Sequence, residues 1–260
     1  MPGADNRKGK TWIGTSGLVL PGPKKTFPIE FQSTSRLYYY STLFNSVEIN
    51  SSFYKLHKAS TFKRWSGDVL DDFAFTVKLW KEITHQKNLE YKDEDLDAFV
   101  KTLNFPREKQ GCLLIQFPAS IKVATVKKVE TLLTTLKLML KSETWNICIE
   151  FRDQSWYEED TASMLAQFNA NPVYHDIEKS APPLNTGRYK VIYLRFHGPE
   201  PGYRGTYTAE FLDEYAQLIL GWNEGGKNVY AYFNNTLGKA FDNALYLNES
   251  VNARNNVANN

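Results

Sequence analysis

WNICIEF (145–151) and VIYLRFHG (191–198) decide how this chain is read. In the first run Ile147, Ile149 and Phe151 alternate with Asn146, Cys148 and Glu150, and Arg152 continues the polar set. In the second, Ile192, Leu194 and Phe196 alternate with Tyr193, Arg195 and His197. Successive side chains of a strand point to opposite faces. Each run thus offers an apolar face to a layer of helices and turns a polar, partly charged face elsewhere. Six more short runs rich in β-branched and aromatic residues share this character: TWIGTSG (11–17), VEINSSF (47–53), FAFTVKLW (73–80), CLLIQFP (112–118), PVYHDI (172–177) and VYAYFNN (229–235).

Helical periodicity fills most of the gaps. Val126, Val129, Leu132, Leu133, Leu136 and Leu140 recur every three or four positions within 122–141. Phe211, Leu212, Tyr215, Leu218, Ile219 and Trp222 do the same within 208–222, behind Thr208 as a helix start. Residues 94–104, 157–169 and 238–248 follow this pattern less cleanly. EKSAPPLNTGRYK (178–190) has two prolines and no periodicity and reads as a loop. Strands alternating with helices imply a parallel sheet. Eight such units in this length predict a single (β/α)8 barrel of the TIM type, α/β in class, over residues 11–248. An open doubly wound sheet is the alternative, but GTSG (14–17) is too short for its glycine-rich phosphate turn. Residues 1–10 read as an N-terminal extension, and 249–260, polar and rich in Asn, as a disordered tail.

Composition limits function. The chain has 31 Lys plus Arg and 29 Asp plus Glu, so bulk charge does not point to nucleic acid, although a local basic groove remains an alternative. Cys112 and Cys148 read as buried thiols of a reducing compartment. No apolar run has the ~18 residues of a membrane helix, and MPGADNRKGK lacks the apolar stretch of a signal peptide. The expectation is a cytoplasmic protein, without membrane association.

Strand parity then selects the residues of the barrel interior. The inward set is Glu48 and Asn50, Lys78, Gln116, Glu150 and Arg152, Arg195 and His197, and Asn234; on the sixth strand either His175 or Asp176 points in. These side chains gather toward the C-terminal ends of the strands, where barrels of this type build their sites.

The same segments carry a resemblance. FNSVEINSSFYKL (44–56), FTVKLWKEITH (75–85), LLIQFP (113–118), IEFRDQSW (149–156), YLRFHG (193–198) with Tyr203 and Tyr207, and YFNNTLGKAFDNA (232–244) resemble the YecE-like family, a domain of unknown function (number 72). The resemblance covers residues 11–247 in order. It implies a TIM-type barrel and no settled activity, although the family is described as related to sugar isomerases. Glu48, Asn50, Lys78, Gln116, Glu150, Arg152, Trp156, Asp176, Arg195, His197, Tyr203, Tyr207, Asn234 and Asn235 match its motifs. One departure is the segment after Gly17. There Leu18-Val19-Leu20-Pro21-Gly22 stands where an aromatic residue is usual, so the loop 18–34 is expected to shape a different wall of the pocket.

The chemistry expected is that of an enzyme acting on a small anionic or polyhydroxy ligand, phosphate-containing compounds included. Its reaction class, whether isomerase, lyase or hydrolase-like, is undetermined. Arg152 and Arg195 would hold an anion through their planar forks, aided by backbone N–H groups near Asn235 or Gly238. His197 and Glu150 would transfer protons. Lys78 has the residue type and position of a Schiff-base amine. Trp80, Trp156, Tyr203, Tyr207 and Tyr232 would line the mouth. No cofactor is expected. The alternative is a Mg²⁺ or Mn²⁺ site at Glu150, Asp176 and His197, in a sugar-isomerase-like scheme.

Overall fold

In the computed structural model, which describes residues 8–140 and 144–258, eight parallel strands form one sheet in the order β1-β8-β7-β6-β5-β4-β3-β2. They are β1 (Thr11–Thr15), β2 (Ser46–Ile49), β3 (Ala74–Lys78), β4 (Gln110–Gln116), β5 (Asn146–Glu150), β6 (Asn171–His175), β7 (Val191–Phe196) and β8 (Asn228–Phe233). Each falls on one of the eight runs quoted above.

The helices are α1 (Arg36–Leu43), α2 (Ser51–Tyr54), α3 (Ala59–Ser66), α4 (Lys81–Thr84), α5 (Asp93–Thr102), α6 (Val126–Met139), α7 (Glu159–Gln167), α8 (Ala209–Glu224) and α9 (Ala240–Ala258). In α6, Val129, Leu132, Leu133 and Leu136 form the buried stripe that its periodicity predicts. Between β6 and β7 the described residues form no helix, and 178–190 is a loop as read.

The barrel closes between β1 and β2 because Gly14 has no side chain. A Cβ there would stand 2.0 Å from the Ser46 carbonyl oxygen. At this seam the Gly17 N–H donates to the Glu48 carbonyl at 2.7 Å. Tyr40, from α1, accepts from the Thr15 N–H at 2.7 Å and donates to the Ser46 carbonyl at 3.2 Å.

Parity holds through the sheet. Ile147, Ile149, Ile192 and Leu194 join the large apolar cluster under the helices. Cys112, Leu114, Cys148, Val173, Tyr193, Tyr230 and Tyr232 pack in a separate cluster inside the barrel. The two cysteines are buried free thiols, and burial pushes the Cys112 thiol up. Above this apolar floor Tyr232 OH meets Ser46 Oγ at 2.6 Å and Thr76 Oγ1 at 2.7 Å. The interior therefore changes from apolar to hydrogen-bonded and then to charged as it approaches the C-terminal ends of the strands.

One expectation is corrected. The segment read as a disordered tail continues α9 to Ala258. Val251 is buried, Ser250 Oγ donates to Asp213 at 2.6 Å, and Arg254 pairs with Asp213 at 3.0 Å. The Asn-rich composition hid a helix whose few apolar residues face α8 and the barrel. Residues 1–7 of the expected extension lie outside the described residues. Gly9 and Lys10 bond to Asn223 and Asn228 as the chain enters β1.

If α9 is packed through this segment, Val251→Ala should cost roughly 1–2 kcal/mol, at about 0.8 kcal/mol per buried carbon. Asn252→Ala, on the exposed face, should cost almost nothing. Urea unfolding of the two variants checks this, and equal, negligible losses would return the segment to a frayed tail.

Candidate active site at the barrel mouth

Arg195 lies at the centre of the charged layer, 1% exposed. Its Nε and Nη2 donate to the two oxygens of Glu48 at 2.9 and 2.7 Å. Its Nη1 donates to Glu150 at 2.8 Å and faces His197 Nε2 at 3.2 Å. Nη2 also reaches Ser16 Oγ at 3.3 Å. A guanidinium has five N–H donors, and here all five have partners. Tyr193 OH adds a hydrogen bond to Glu48 at 2.5 Å, and Ser16 Oγ another. Burial opposes ionisation of Glu48 and Glu150, but Arg195 beside both outweighs it, and both carboxyls fall below the usual range. Arg195, expected from sequence to hold an anion, lines the mouth cavity with all of its donors committed within the protein.

Arg152 stands above this layer. Its Nε donates to Glu150, and Nη2 faces His197 Nε2 at 3.1 Å. Its Nη1 has no partner among the described residues, and 16% of the side chain is exposed. Since both arginines can only donate, Nε2 of His197 must be the unprotonated nitrogen. Its proton then sits on Nδ1, 3.3 Å from Asp176. Burial, then the neighbouring arginines, hold His197 neutral against the pull of Asp176 and Glu150. Asp176 in turn accepts from the His197 N–H at 2.8 Å and from Tyr207 OH. On β6 it is His175 that follows strand parity inward, against the Phe151 carbonyl at 3.1 Å. Asp176 reaches His197 from just beyond the strand end.

The mouth itself is a cavity of about 250 Å³ lined by Ser16, Asn50, Tyr54, Lys78, Gln116, Arg152, Arg195, Tyr203, Asn234 and Thr236. A second recess, of about 490 Å³, lies over Asp176, His197 and the 198–202 loop. Arg152 and Tyr203 belong to both. Tyr203 is held at φ 65°, a backbone region that bulky residues seldom enter, and such residues gather at ligand sites. Lys78 projects from the end of β3 and is 8% exposed. Its Nζ lies 4.1 Å from the centroid of the Phe53 ring. Among the described residues it has no hydrogen-bonded or ion-paired partner. Burial, reinforced by Arg195 and Arg152 against Glu150 and Glu48, brings this ammonium down to about 7.

Lys78, Asn50, Gln116, Arg152, Tyr203 and Asn234 therefore meet at one cavity. Glu48 and Glu150 lie beneath it, fully buried, and His197 and Tyr207 stand to one side as supports. Trp80 packs against the large cluster under the helices and Tyr232 in the apolar interior, and Trp156 too is absent from the mouth. It stacks on Phe151 at 4.2 Å under the helices, and its indole N–H donates to the Ile121 carbonyl at 2.7 Å. Asn235 is buried and donates to the Gly205 carbonyl and to Asn243. Backbone N–H groups near it are occupied too: Gly238 donates to Asn235, and Lys239 to Gly205. Gly198 and Gly238 serve close loop packing, since a Cβ would stand 2.1 Å from the Arg204 oxygen and 2.2 Å from the Gly205 oxygen, respectively. The loop 18–34 contributes to neither cavity. Tyr54 and Thr236 were missed. Tyr54 lies on α2, where no strand parity applies, and only its place in the FNSVEINSSFYKL block marked it.

The divalent-metal alternative does not fit these residues. Both oxygens of Glu150 accept from arginines, and Nε2 of His197 faces two guanidinium groups. Among the described residues no three His, Cys, Asp or Glu side chains are arranged to hold a metal ion.

Comparison with known proteins agrees with this architecture. Residues 12–260 match the family described as "Protein of unknown function DUF72". The chain belongs to the DUF72 family. UPF0759 protein YunF of Bacillus subtilis is 26% identical over 247 residues, spanning 82% of this chain and 84% of that protein. UPF0759 protein YecE of Escherichia coli is 32% identical over 81 residues, 31% of this chain and 30% of that protein. A DUF72 family protein from Enterococcus faecalis superposes with a TM-score of 0.74 at 20% identity, over 93% of this chain and 95% of that one. Another from Thermotoga maritima gives 0.69 at 24%, over 94% and 99%. These structural likenesses show the shared fold. No helix among the described residues is long and apolar enough to cross a membrane.

Two predictions follow from the charge layer. Arg195→Ala strands two buried carboxylates and should lower stability by roughly 3–5 kcal/mol in urea unfolding; a loss under 1 kcal/mol, typical of an exposed pair, would contradict the network. Lys78 binds its proton less tightly folded than unfolded, so between its folded value near 7 and the unfolded value of about 10.4 the unfolded chain carries the extra proton. Stability of the wild type relative to Lys78→Met should therefore rise with pH across that window. A flat difference from parallel unfolding curves would show that Lys78 titrates normally.

Proposed function

We propose that the mouth cavity binds a small polyhydroxy or anionic molecule and that the protein is an enzyme acting on it. One observation carries this reading: Lys78 and Arg152 keep N–H groups without partners among the described residues, in a cavity otherwise lined by the saturated Arg195 and by amides, hydroxyls and tyrosines. Convergent polar groups in a concave site are the ordinary signature of ligand recognition. The volume, about 250 Å³, suits a compound the size of a small sugar or sugar phosphate fragment.

The charges support an anionic or strongly polar ligand. Glu48 and Glu150 neutralise Arg195 and Arg152 and His197 is neutral, so in its protonated form Lys78 adds a positive charge at the cavity itself. Arg152 offers Nη1 to an oxygen of the ligand, while Gln116, Asn50 and Asn234 suit hydroxyl groups. In this reading Glu150 and His197 position Arg152 and do not meet the ligand. Proton transfer passes to Lys78, the one group of the cavity whose titration lies near neutrality.

Thermal unfolding at fixed ionic strength tests the proposal, with inorganic phosphate, glycerol 3-phosphate and erythritol as probes. A ligand at 100 times its Kd stabilises by about 2.7 kcal/mol, so a raised Tm is expected. It should be lost in Arg152→Ala and Lys78→Met. Identical responses from all three proteins would remove the site. Oligonucleotide binding that falls steeply with salt, without any response to these probes, would move the reading to nucleic acid.

A further inference from the structure

We infer that Lys78 is an amine nucleophile that forms a Schiff base with a small hydroxylated aldehyde or ketone entering the mouth cavity. This rests on the binding site proposed above and names the reaction that site supports.

Nζ of Lys78 lies among charged groups. Lysines in barrel interiors are normally held by carboxylates, and two are near. Glu48 and Glu150, however, direct their oxygens to Arg195, Arg152, Ser16 and Tyr193. No oxygen is left in hydrogen-bonding reach of Nζ among the described residues. The amine instead lies against the Phe53 ring, inside the cavity wall. Its backbone is fixed, since Ser52 Oγ donates to the Lys78 carbonyl at 2.7 Å. The side chain is thereby presented to the cavity without a competing partner.

The charged groups around it act in both directions. Arg195 from β7 and Arg152 beyond β5 disfavour the ammonium, Glu48 from β2 and Glu150 from β5 favour it, and His85, after α4, stays neutral near neutrality. The Phe53 face favours the cation as well. Burial decides the balance and brings the ammonium down to about 7. A desolvated lysine beside other cations is the usual setting of an amine nucleophile. Arg152, Gln116, Asn50 and Asn234 provide donors and acceptors for hydroxyl groups on the incoming molecule. That favours a hydroxy-carbonyl compound over an apolar one.

The chemistry balances without a co-reactant. The Nζ lone pair forms a bond to the carbonyl carbon, and the C=O π pair moves onto oxygen, which receives a proton from nitrogen. The resulting carbinolamine loses its hydroxyl together with the second nitrogen proton as water, and C=N forms.

Reductive trapping on the full chain at neutral pH tests this. Formaldehyde, glycolaldehyde and dihydroxyacetone are supplied separately with sodium cyanoborohydride, and the products are followed by intact mass and peptide mapping. Each C2 or C3 adduct should add the mass of the carbonyl compound less one oxygen. Modification at Lys78 should exceed that at exposed Lys63 and Lys87 by about tenfold or more, because an ordinary lysine is almost wholly protonated there. Formaldehyde is small enough to reach any amine that lines a cavity. If it labels Lys78 no faster than the exposed lysines, the proposal is overturned. If formaldehyde prefers Lys78 but neither hydroxy-carbonyl compound does, the substrate class is overturned. Lys78→Met should lose the fast adduct while unfolding cooperatively. A phosphate- or erythritol-dependent Tm rise without preferential trapping would leave the binding site standing and remove the Schiff base. Absence of both would remove the two readings together.

Discussion

A single guanidinium sets the rest of the barrel mouth. Arg195 comes from β7 and spends its five donors on groups from β1–β2 and β5 and on its own neighbour His197. A buried carboxylate is costly unless paired, and Glu48 and Glu150 are wholly buried. Arg195 is what makes both tolerable. Because Glu48 adjoins the β1–β2 seam, the same interaction ties the two ends of the sheet together where Gly14 permits closure. The charge layer and the closed barrel depend on one another.

Commitment of Arg195 has a consequence one layer up. Glu150 has a second oxygen, and Arg152 takes it. His197 receives both arginines on one nitrogen and is steered by Asp176 on the other. Tyr207 and Gly198 then hold Asp176 through a shared hydroxyl. Each member is oriented by the one beneath it, so the arrangement is stiff. Lys78 lies outside this sequence of bonds. Arg152 Nη1 faces the same cavity unpartnered, but Lys78 is the one of the two that can give up a proton to become a nucleophile.

Much of this was legible in the sequence because strand parity is strict. A strand with Ile147, Ile149 and Phe151 on one face leaves no choice for Cys148 and Glu150, and the inward set from β2, β3, β5 and β7 is found where alternation puts it. What alternation cannot supply is the partner of each charge. Arg152 and Arg195 have the same residue type and the same inward placement, yet one is saturated and the other keeps a free edge. The difference arises from depth along the barrel, which depends on strand stagger and not on local pattern. Trp156 failed for a related reason. It follows the inward residue Arg152 by four positions, but the chain has left the strand by then, and the ring turns back onto Phe151 beneath the helices. Asn235, matched to the family motif as a site residue, instead bonds Gly205 and Asn243, and the 249–258 segment shows the limit of composition. Asparagines that read as solvent-loving can satisfy backbone carbonyls or cover a helix with little apolar surface.

Depth also explains why the charged residues divide into support and site. Near the apolar floor, water is excluded and every polar group must be bonded within the protein; Tyr232, Ser46 and Thr76 meet that demand with one another. In the next layer Glu48, Arg195 and Glu150 meet it with charge. At the mouth the demand relaxes, because a ligand or solvent can serve as partner. Lys78 lies at the boundary between these regimes. It is deep enough for burial to weaken its proton, yet open enough that nothing in the protein needs to pair with it. Moving it one layer down would require a carboxylate, and one layer up would restore an ordinary ammonium. The position of β3 in the barrel, more than the identity of its neighbours, gives the amine its unusual state.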